Sequence, residues 1–322
     1  MENYTRKLYD VNQQMNAVKV ENLSKRFNSF IAVDNISFEV KQGEIFGLLG
    51  PNGAGKTTTI RILTGILRPT NGKALIGNYD IQKKPLEAKQ LMGIVPEMAN
   101  AYGDLSAMRN LLLMGGVYGM KKEEAMTKAK YLLELFKLYE KKDQKVKTFS
   151  KGMRQRLILS MALMNDSQIL FLDEPTGGLD VESSRLIRNL IREFNSKGVT
   201  ILLTTHDIEE ANLLCDRVAI MNYGKFVAVD RPENLRNTIQ STSSIEVAFE
   251  KTATVSEKEL KMEGVSRVKK EGDKFKLYTQ SLEDVILLLV KYSQDTNNKI
   301  ISLRTLGPSL EDVFIKLTQT KE

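Results

Sequence analysis

The sequence has almost none of the residues on which redox and metal chemistry most often depends. It holds one cysteine, Cys215, and one histidine, His206. A lone cysteine forms no internal disulfide and no cysteine-rich zinc site, so a reducing compartment is expected. A lone histidine excludes any mechanism that draws two imidazoles from one chain. Long apolar runs are also missing. The longest, at 111–120 and 285–290, fall short of the roughly 18 residues of a spanning helix and are closed by charge or polarity. The N-terminal stretch has no apolar core of a secretory signal. These absences predict a soluble, cytosolic chain.

A strong charge imbalance is absent too: 47 basic against 40 acidic residues leave a net charge of +7. With 42% apolar and 27% charged residues, the 322-residue chain is neither disordered nor fibrous and can form two ordinary domains. The basic excess lies wholly upstream of position 152. Residues 121–151 alone carry ten lysines against five acids. Acids and apolar residues interleave with these lysines, so the stretch reads first as a solvated helix face.

Residues 1–16 are polar and read as a loosely ordered tail. Apolar and polar residues then alternate at 18–23 and 36–40, as in half-buried strands. A turn at 41–44 leads into Ile45-Phe46-Gly47-Leu48-Leu49, a fully buried strand. Helical periodicity runs from about 98 to 163, and strand-like runs return at 169–172, 200–204 and 218–221. Buried strands alternating with helices imply a mostly parallel sheet covered on both faces. A polar stretch at 240–244 suggests a linker. Beyond it, a strand at 245–249, a short helix at 256–262, a hairpin of 265–268 with 274–278, a helix from Ser281, a strand at 299–303 and a last helix from Ser309 are expected. Ser281-Leu282-Glu283-Asp284-Val285 recurs as Ser309-Leu310-Glu311-Asp312-Val313, which reads as shared N-capping chemistry.

The strongest signal is Gly50-Pro51-Asn52-Gly53-Ala54-Gly55-Lys56-Thr57, a complete G-x-x-x-x-G-K-[ST] loop between a buried strand and a helical run from Thr58. Its glycines let successive N–H groups point at a phosphate, and the helix that follows adds its positive end. Lys56 reaches the β and γ phosphates, and the Thr57 hydroxyl ligates Mg²⁺. The strand at 169–172 ends in Asp173-Glu174-Pro175, which puts both carboxylates on the sheet edge that carries the loop. Asp173 is read as holding Mg²⁺ through water and Glu174 as the general base that polarises the attacking water. His206 ends a third buried strand at that edge. There a neutral imidazole is expected to bond both the γ-phosphate and the attacking water.

The segment Phe149-Ser150-Lys151-Gly152-Met153-Arg154-Gln155-Arg156, with Gly152 17 residues before Ile169, resembles the signature of ATP-binding cassette (ABC) ATPases, usually Leu-Ser-Gly-Gly-Gln. Over about residues 17–240 the chain resembles the nucleotide-binding subunit of an ABC transporter. The resemblance implies an α/β P-loop NTPase with a RecA-like parallel core and antiparallel β and helical subdomains, followed by a small α+β accessory domain at 241–322. It implies ATP and Mg²⁺ as cofactors, with Asn52, Gly53, Ala54, Gly55, Lys56, Thr57 and Thr58 around the phosphates. Phe27 matches the aromatic that stacks on adenine; a core phenylalanine is the other reading. Asp180, in Gly177-Gly178-Leu179-Asp180, matches the loop that communicates between two subunits. Glu97 falls where the family usually has Gln and joins Thr57 and Asp173 as a metal ligand. Lys151 and Met153 depart from the usual signature, whereas Ser150 and Gly152 keep it.

The mechanism so implied is a head-to-tail dimer, expected to be a homodimer. Each ATP lies between the phosphate loop of one subunit and Ser150 and Gly152 of the other, and hydrolysis drives membrane-spanning partners in separate chains. DNA-repair relatives insert a long coiled coil before the signature, for which the 94 residues from Lys56 to Ser150 leave no room. Translation-factor relatives carry two cassettes. No nucleic-acid partner is therefore expected. The signature, the 177–180 loop and the 309–314 segment resemble ABC-2 exporters; an importer subunit or a non-transport regulatory ATPase is the alternative. The location implied is the cytoplasmic face of the membrane, with the lysine-rich 121–151 stretch toward anionic headgroups.

Overall fold

A computed structural model describes residues 16–97, 101–238, 243–307 and 312–314. It divides into two compact units, Met1–Asp230 and Arg231–Glu322, a division ahead of the polar stretch at Gln240. Of the tail expected at 1–16 and the linker at 240–244, residues 1–15 and 240–242 lie outside the described residues, as does the start of the last helix at 309–311; Asn16, Ser243 and Ser244 belong to strands instead. Asp312–Phe314 are helical.

The first unit opens with a long hairpin, β1 (Asn16–Phe27) and β2 (Phe30–Lys41), and then enters β3 (Ile45–Leu49), which is buried at every position. Next come α1 (Lys56–Leu63), β4 (Asn71–Ile76), β5 (Tyr79–Asp80), α2 (Pro85–Gln90) and β6 (Met92–Val95). Three helices form the middle of the chain: α3 (Ala107–Val117), α4 (Lys122–Leu135) and α5 (Lys151–Ala162). The unit closes with β7 (Ile169–Asp173), α6 (Val181–Ser196), β8 (Thr200–Thr205), α7 (Ile208–Leu214), β9 (Arg217–Asn222) and β10 (Lys225–Asp230).

These strands make two sheets. The larger runs β10-β9-β3-β8-β7-β6, parallel throughout except for the antiparallel edge strand β10. The smaller, β2-β1-β4-β5, is antiparallel. Its alternating face supplies Val18, Val20, Val33, Ile36 and Phe38 to one core with Phe46 and Leu48 of β3, Ile62 and Leu63 of α1, and Phe171 of β7. Phe38 stacks on Phe46 with centroids 5.3 Å apart. Period-two burial thus fits β1 and β2, whereas continuous burial fits the central parallel strands.

The helical periodicity after position 98 resolves into α3, α4 and α5, with 3-10 turns at Tyr139–Lys141 and Val146–Thr148 between α4 and α5. Gly115 lets α3 and α4 approach closely, since a Cβ there would lie 2.7 Å from the Ala125 Cβ. Phe136 packs on Phe194 of α6 at 6.0 Å. Part of the local lysine excess is answered by nearby acids, through Lys128 with Asp166, Lys142 with Asp143 and Lys147 with Asp104. Cys215 is buried against Gly47, and burial pushes its thiol far above the ordinary value, so it stays protonated and unreactive. Among the described residues, no helix is long and apolar enough to cross a membrane.

The second unit has α8 (Pro232–Thr238), β11 (Ser243–Phe249), β12 (Val265–Glu271), β13 (Lys274–Thr279), α9 (Leu282–Asp295) and β14 (Ile300–Leu306). Its antiparallel sheet runs β12-β13-β11-β14, with Ile245, Val247, Phe275 and Leu277 packed against Val285 and Leu289 of α9. The short helix expected at 256–262 is absent. Backbone bonds within the segment are i→i+3, from the Glu259 N–H to the Ser256 carbonyl and from Lys261 to Lys258. The stretch has no run of i→i+4 bonds and meets Gly264, at φ +80°, two residues past its end. The Ser281 cap also differs from expectation. Its hydroxyl donates to the Asp284 carboxylate at 2.5 Å and accepts no backbone N–H.

Gly72, on β4, has φ +83°, and a Cβ there would lie 2.3 Å from the Asn22 carbonyl oxygen of β1. We expect Gly72→Ala to destabilise the first unit by about 2 kcal/mol or more. A thermal melt that leaves Tm unchanged would refute this.

Candidate nucleotide and hydrolysis site

The phosphate loop joins β3 to α1, and its backbone is shaped by contacts that admit no side chain. A Cβ on Gly50 would lie 2.3 Å from the Met221 carbonyl, and one on Gly55, at φ +107°, would lie 2.4 Å from the Ala32 carbonyl. Helix α1 begins at Lys56, two residues earlier than the pattern suggests, so Lys56 and Thr57 sit in its first turn. Lys56 is buried. Its Nζ donates to the carbonyls of Gly50 at 2.7 Å and Pro51 at 3.2 Å, and lies 3.4 Å from the Glu174 carboxylate.

Asp173 ends β7 and is 2% exposed. One of its oxygens, Oδ1, accepts from Thr57 Oγ1 at 3.1 Å and from Thr204 Oγ1 at 2.5 Å. The β7–β8 register places Asp173 opposite Thr204. Glu174 follows in a left-handed backbone at φ 51°, uncommon for a non-glycine residue. Its N–H holds that conformation by donating to Thr204, at 3.0 Å to the hydroxyl and 3.2 Å to the carbonyl.

His206 Nδ1 lies 2.9 Å from Glu174 Oε2. A carboxylate only accepts, so Nδ1 carries the proton. A neutral ring held this way offers a lone pair at Nε2. It can accept a proton from water but has nothing to donate to a phosphate oxygen. Both tasks expected of a neutral imidazole are therefore not met at once: in this geometry the phosphate contact requires the ring to leave Glu174 or gain a second proton.

A cleft of about 370 Å³ gathers Asn52, Gly53, Ala54, Gly55, Lys56, Thr57, Thr58, Glu97 and Glu174. Asp173 sits beneath Thr57. Phe27 does not line this cleft. It is 42% exposed, which excludes a core role, and the Lys25 ammonium lies 5.0 Å from its ring centroid. Phe30 lines the cleft instead, 62% exposed and paired with Phe27 across the hairpin. Phe30 stands outside the motifs that the sequence presents. Its signal was Phe27-Asn28-Ser29-Phe30, a two-residue turn with Asn28 at φ 51° that puts both rings on one face.

Ser150, Gly152 and Asp180 are not brought into this cleft. Ser150 caps α5, accepting from the Met153 N–H at 3.2 Å. Asp180 caps α6, accepting from the Ser183 N–H at 2.7 Å and the Ser183 hydroxyl at 2.9 Å, and these bonds hold its carboxyl below the usual range. A Cβ on Gly152 would lie 2.2 Å from Ser183 Oγ, so the signature and the start of α6 pack together.

The sequence profile of a family described as ABC transporter matches residues 33–177. The chain is 34% identical to the linearmycin resistance ATP-binding protein LnrL of Bacillus subtilis (strain 168), over 94% of this chain and 98% of that one. It is 35% identical to a Nod factor export ATP-binding protein I of Burkholderia lata, over 94% and 96%. The chain belongs to the ABC transporter ATP-binding subunits. Among solved structures, an ATP-binding subunit of an ABC transporter superposes with TM-score 0.64 at 29% identity, over 69% of this ABC subunit and 92% of that chain. A dimeric cassette in a post-hydrolysis state with ADP and Pi superposes at TM-score 0.61 and 27% identity, over 66% and 98%. The ABC subunit is thus an ATP-binding, ATP-hydrolysing P-loop protein.

Glu210 of α7 belongs to none of the sequence motifs. It is 1% exposed and accepts from Thr176 Oγ1 at 2.6 Å. Burial pushes its carboxyl above the ordinary 4.5, against the opposing bonds from Thr176 and Thr205. The folded ABC subunit therefore keeps this proton where the unfolded chain has lost it. Stability falls as pH rises from about 4.5 through the higher folded value. Glu210→Gln keeps an acceptor for Thr176 without an ionisable group. We expect its Tm to match wild type near pH 4.5 and exceed it near pH 8 by a few degrees, about 2–4 °C per kcal/mol. A Tm difference that does not vary with pH would refute this.

Proposed function

We propose that this subunit hydrolyses MgATP to power export through membrane-spanning partners in separate chains. The observation that carries the reading is the convergence of the Lys56 ammonium, the Glu174 carboxylate and the His206 ring at the end of a phosphate loop. In this reading the loop N–H groups and Lys56 bind the β and γ phosphates, and ATP displaces the Lys56 ammonium from the Gly50 and Pro51 carbonyls. Glu174 accepts the proton of the attacking water, with His206 holding its other oxygen. Phe30, which lines the cleft, forms the base platform with Phe27 beside it across the hairpin.

Thr57, Asp173 and Glu97 offer a hydroxyl and two carboxylates, the hard oxygen donors that suit Mg²⁺. Among the described residues no three acids, imidazoles or thiols cluster into a cage, so the donor set needs phosphate oxygens to complete it. When bound, Mg²⁺ neutralises charge on the β and γ phosphates. Thr57 and Asp173, already bonded to each other, keep those oxygens at the loop.

Ser150 and Gly152 lie outside the cleft of their own chain, which supports a head-to-tail homodimer in which they meet the ATP of the second subunit. The dimeric ADP-bound cassette and the export and resistance proteins among the relatives support the same assembly, at the cytoplasmic face of a membrane. We assign nucleotide work to residues 17–240 and an accessory role to 241–322.

Glu174→Gln is expected to retain ATP binding and to lose turnover by about 10²-fold or more, the weight of a general base. Normal turnover in the purified variant would sink the assignment. Glu97→Gln removes a charge that repels triphosphate, and should tighten ATP binding about fivefold at limiting Mg²⁺. Equal affinities across a Mg²⁺ titration would rule that out.

A further inference from the structure

Lys151 stands where the signature usually has glycine, and it occupies the first position of α5. That helix has no acid in its first turn. A cation is electrostatically misplaced at the positive end of a helix. The side chain turns away from it and donates to two backbone carbonyls, Gly177 at 3.0 Å and Gly178 at 3.1 Å. Gly178 is built to receive it: at φ +64° its Cβ would lie 2.5 Å from Lys151 Nζ. A side chain at Gly178 would push the ammonium out of this position.

The two carbonyls belong to the turn that leaves the hydrolytic carboxylate. The Gly177 N–H donates to the Glu174 carbonyl at 3.0 Å, and the Leu179 N–H donates to Thr176 at 3.2 Å. Thr176 is held in turn by buried Glu210, on the helix that follows His206. The turn ends at Asp180, whose partner Ser183 packs on Gly152. Lys151 therefore bridges the signature and the Glu174–Asp180 segment within a single chain.

We propose that Lys151 is a positioning residue that couples the two ATP sites of the dimer. This rests on the assembly proposed above, in which Ser150 and Gly152 engage the ATP of the second subunit while Glu174 serves the ATP of its own. Engagement of the signature then bears on the turn behind Glu174 through the ammonium, so occupation of one site adjusts the base of the other.

The test is ATPase activity against ATP concentration for the full-length chain, with Lys151→Met, Lys151→Arg and Glu174→Gln in parallel and thermal melts of each. Methionine matches the length of lysine without its donors. We expect Lys151→Met to lower kcat about tenfold with KM within about twofold of wild type, and to bring the Hill coefficient from near 2 toward 1. Lys151→Arg, which can still donate to both carbonyls, is expected to restore most of kcat and cooperativity. Wild-type kcat and Hill coefficient in Lys151→Met would overturn the proposal. So would a loss confined to KM, equal losses in the Arg and Met variants, or a Hill coefficient of 1 in the wild type. Retained turnover in Glu174→Gln would overturn the underlying site assignment instead. A silent Lys151→Met beside an inactive Glu174→Gln overturns only the tie.

Discussion

A single buried oxygen, Asp173 Oδ1, accepts hydroxyls from two different elements, Thr57 of α1 and Thr204 of β8. An ionised carboxylate removed from water costs several kcal/mol unless it is well partnered. The carboxyl end of the sheet is therefore arranged around this group. Thr204 does further duty, since its hydroxyl and carbonyl also hold the Glu174 N–H. The parallel register of β7 and β8 fixes Asp173 opposite Thr204. A slip of one residue would turn the carboxylate to the other face and release both hydroxyls.

The site divides its work between backbone and side chain. Phosphate binding falls to a loop whose glycines lie against the carbonyls of Ala32 and Met221, so the antiparallel sheet and β9 both shape it. Water activation falls to Glu174, whose left-handed backbone aims the carboxylate between Lys56 and His206. Backbone strain of this kind persists only where neighbours over-determine it, and Thr204 on one side with the 174–177 turn on the other does so. The same turn reaches the signature through Lys151, so the catalytic carboxylate and the remote signature share a few covalent and hydrogen-bonded steps.

Much of the core was legible because fully buried parallel strands leave continuous apolar runs. Ile45-Phe46-Gly47-Leu48-Leu49 and Ile169-Leu170-Phe171-Leu172 can be little else. Strands β4, β5, β6 and β10 left no such mark. They are short or only half-buried, and their stability comes from the neighbours they pair with. At 256–262 the residues suit a helix, yet the chain there makes isolated i→i+3 turns before Gly264. Phe27 and Phe30 show a similar limit. A motif position points to Phe27, whereas the hairpin turn puts Phe30 on the cleft.

By itself the sequence determined the phosphate loop, the acid-tipped strand, the histidine strand and their common edge, because each is a contiguous motif whose chemistry depends on local spacing. Tertiary structure decided which groups satisfy one another: Thr204 beneath Asp173, Glu210 behind Thr176, Lys151 on the carbonyls of Gly177 and Gly178, and the imidazole proton on Glu174. Those partners lie 26 to 34 residues apart in the chain. No local pattern encodes them. They follow from burial, which leaves a polar group only the partners that the fold brings within reach.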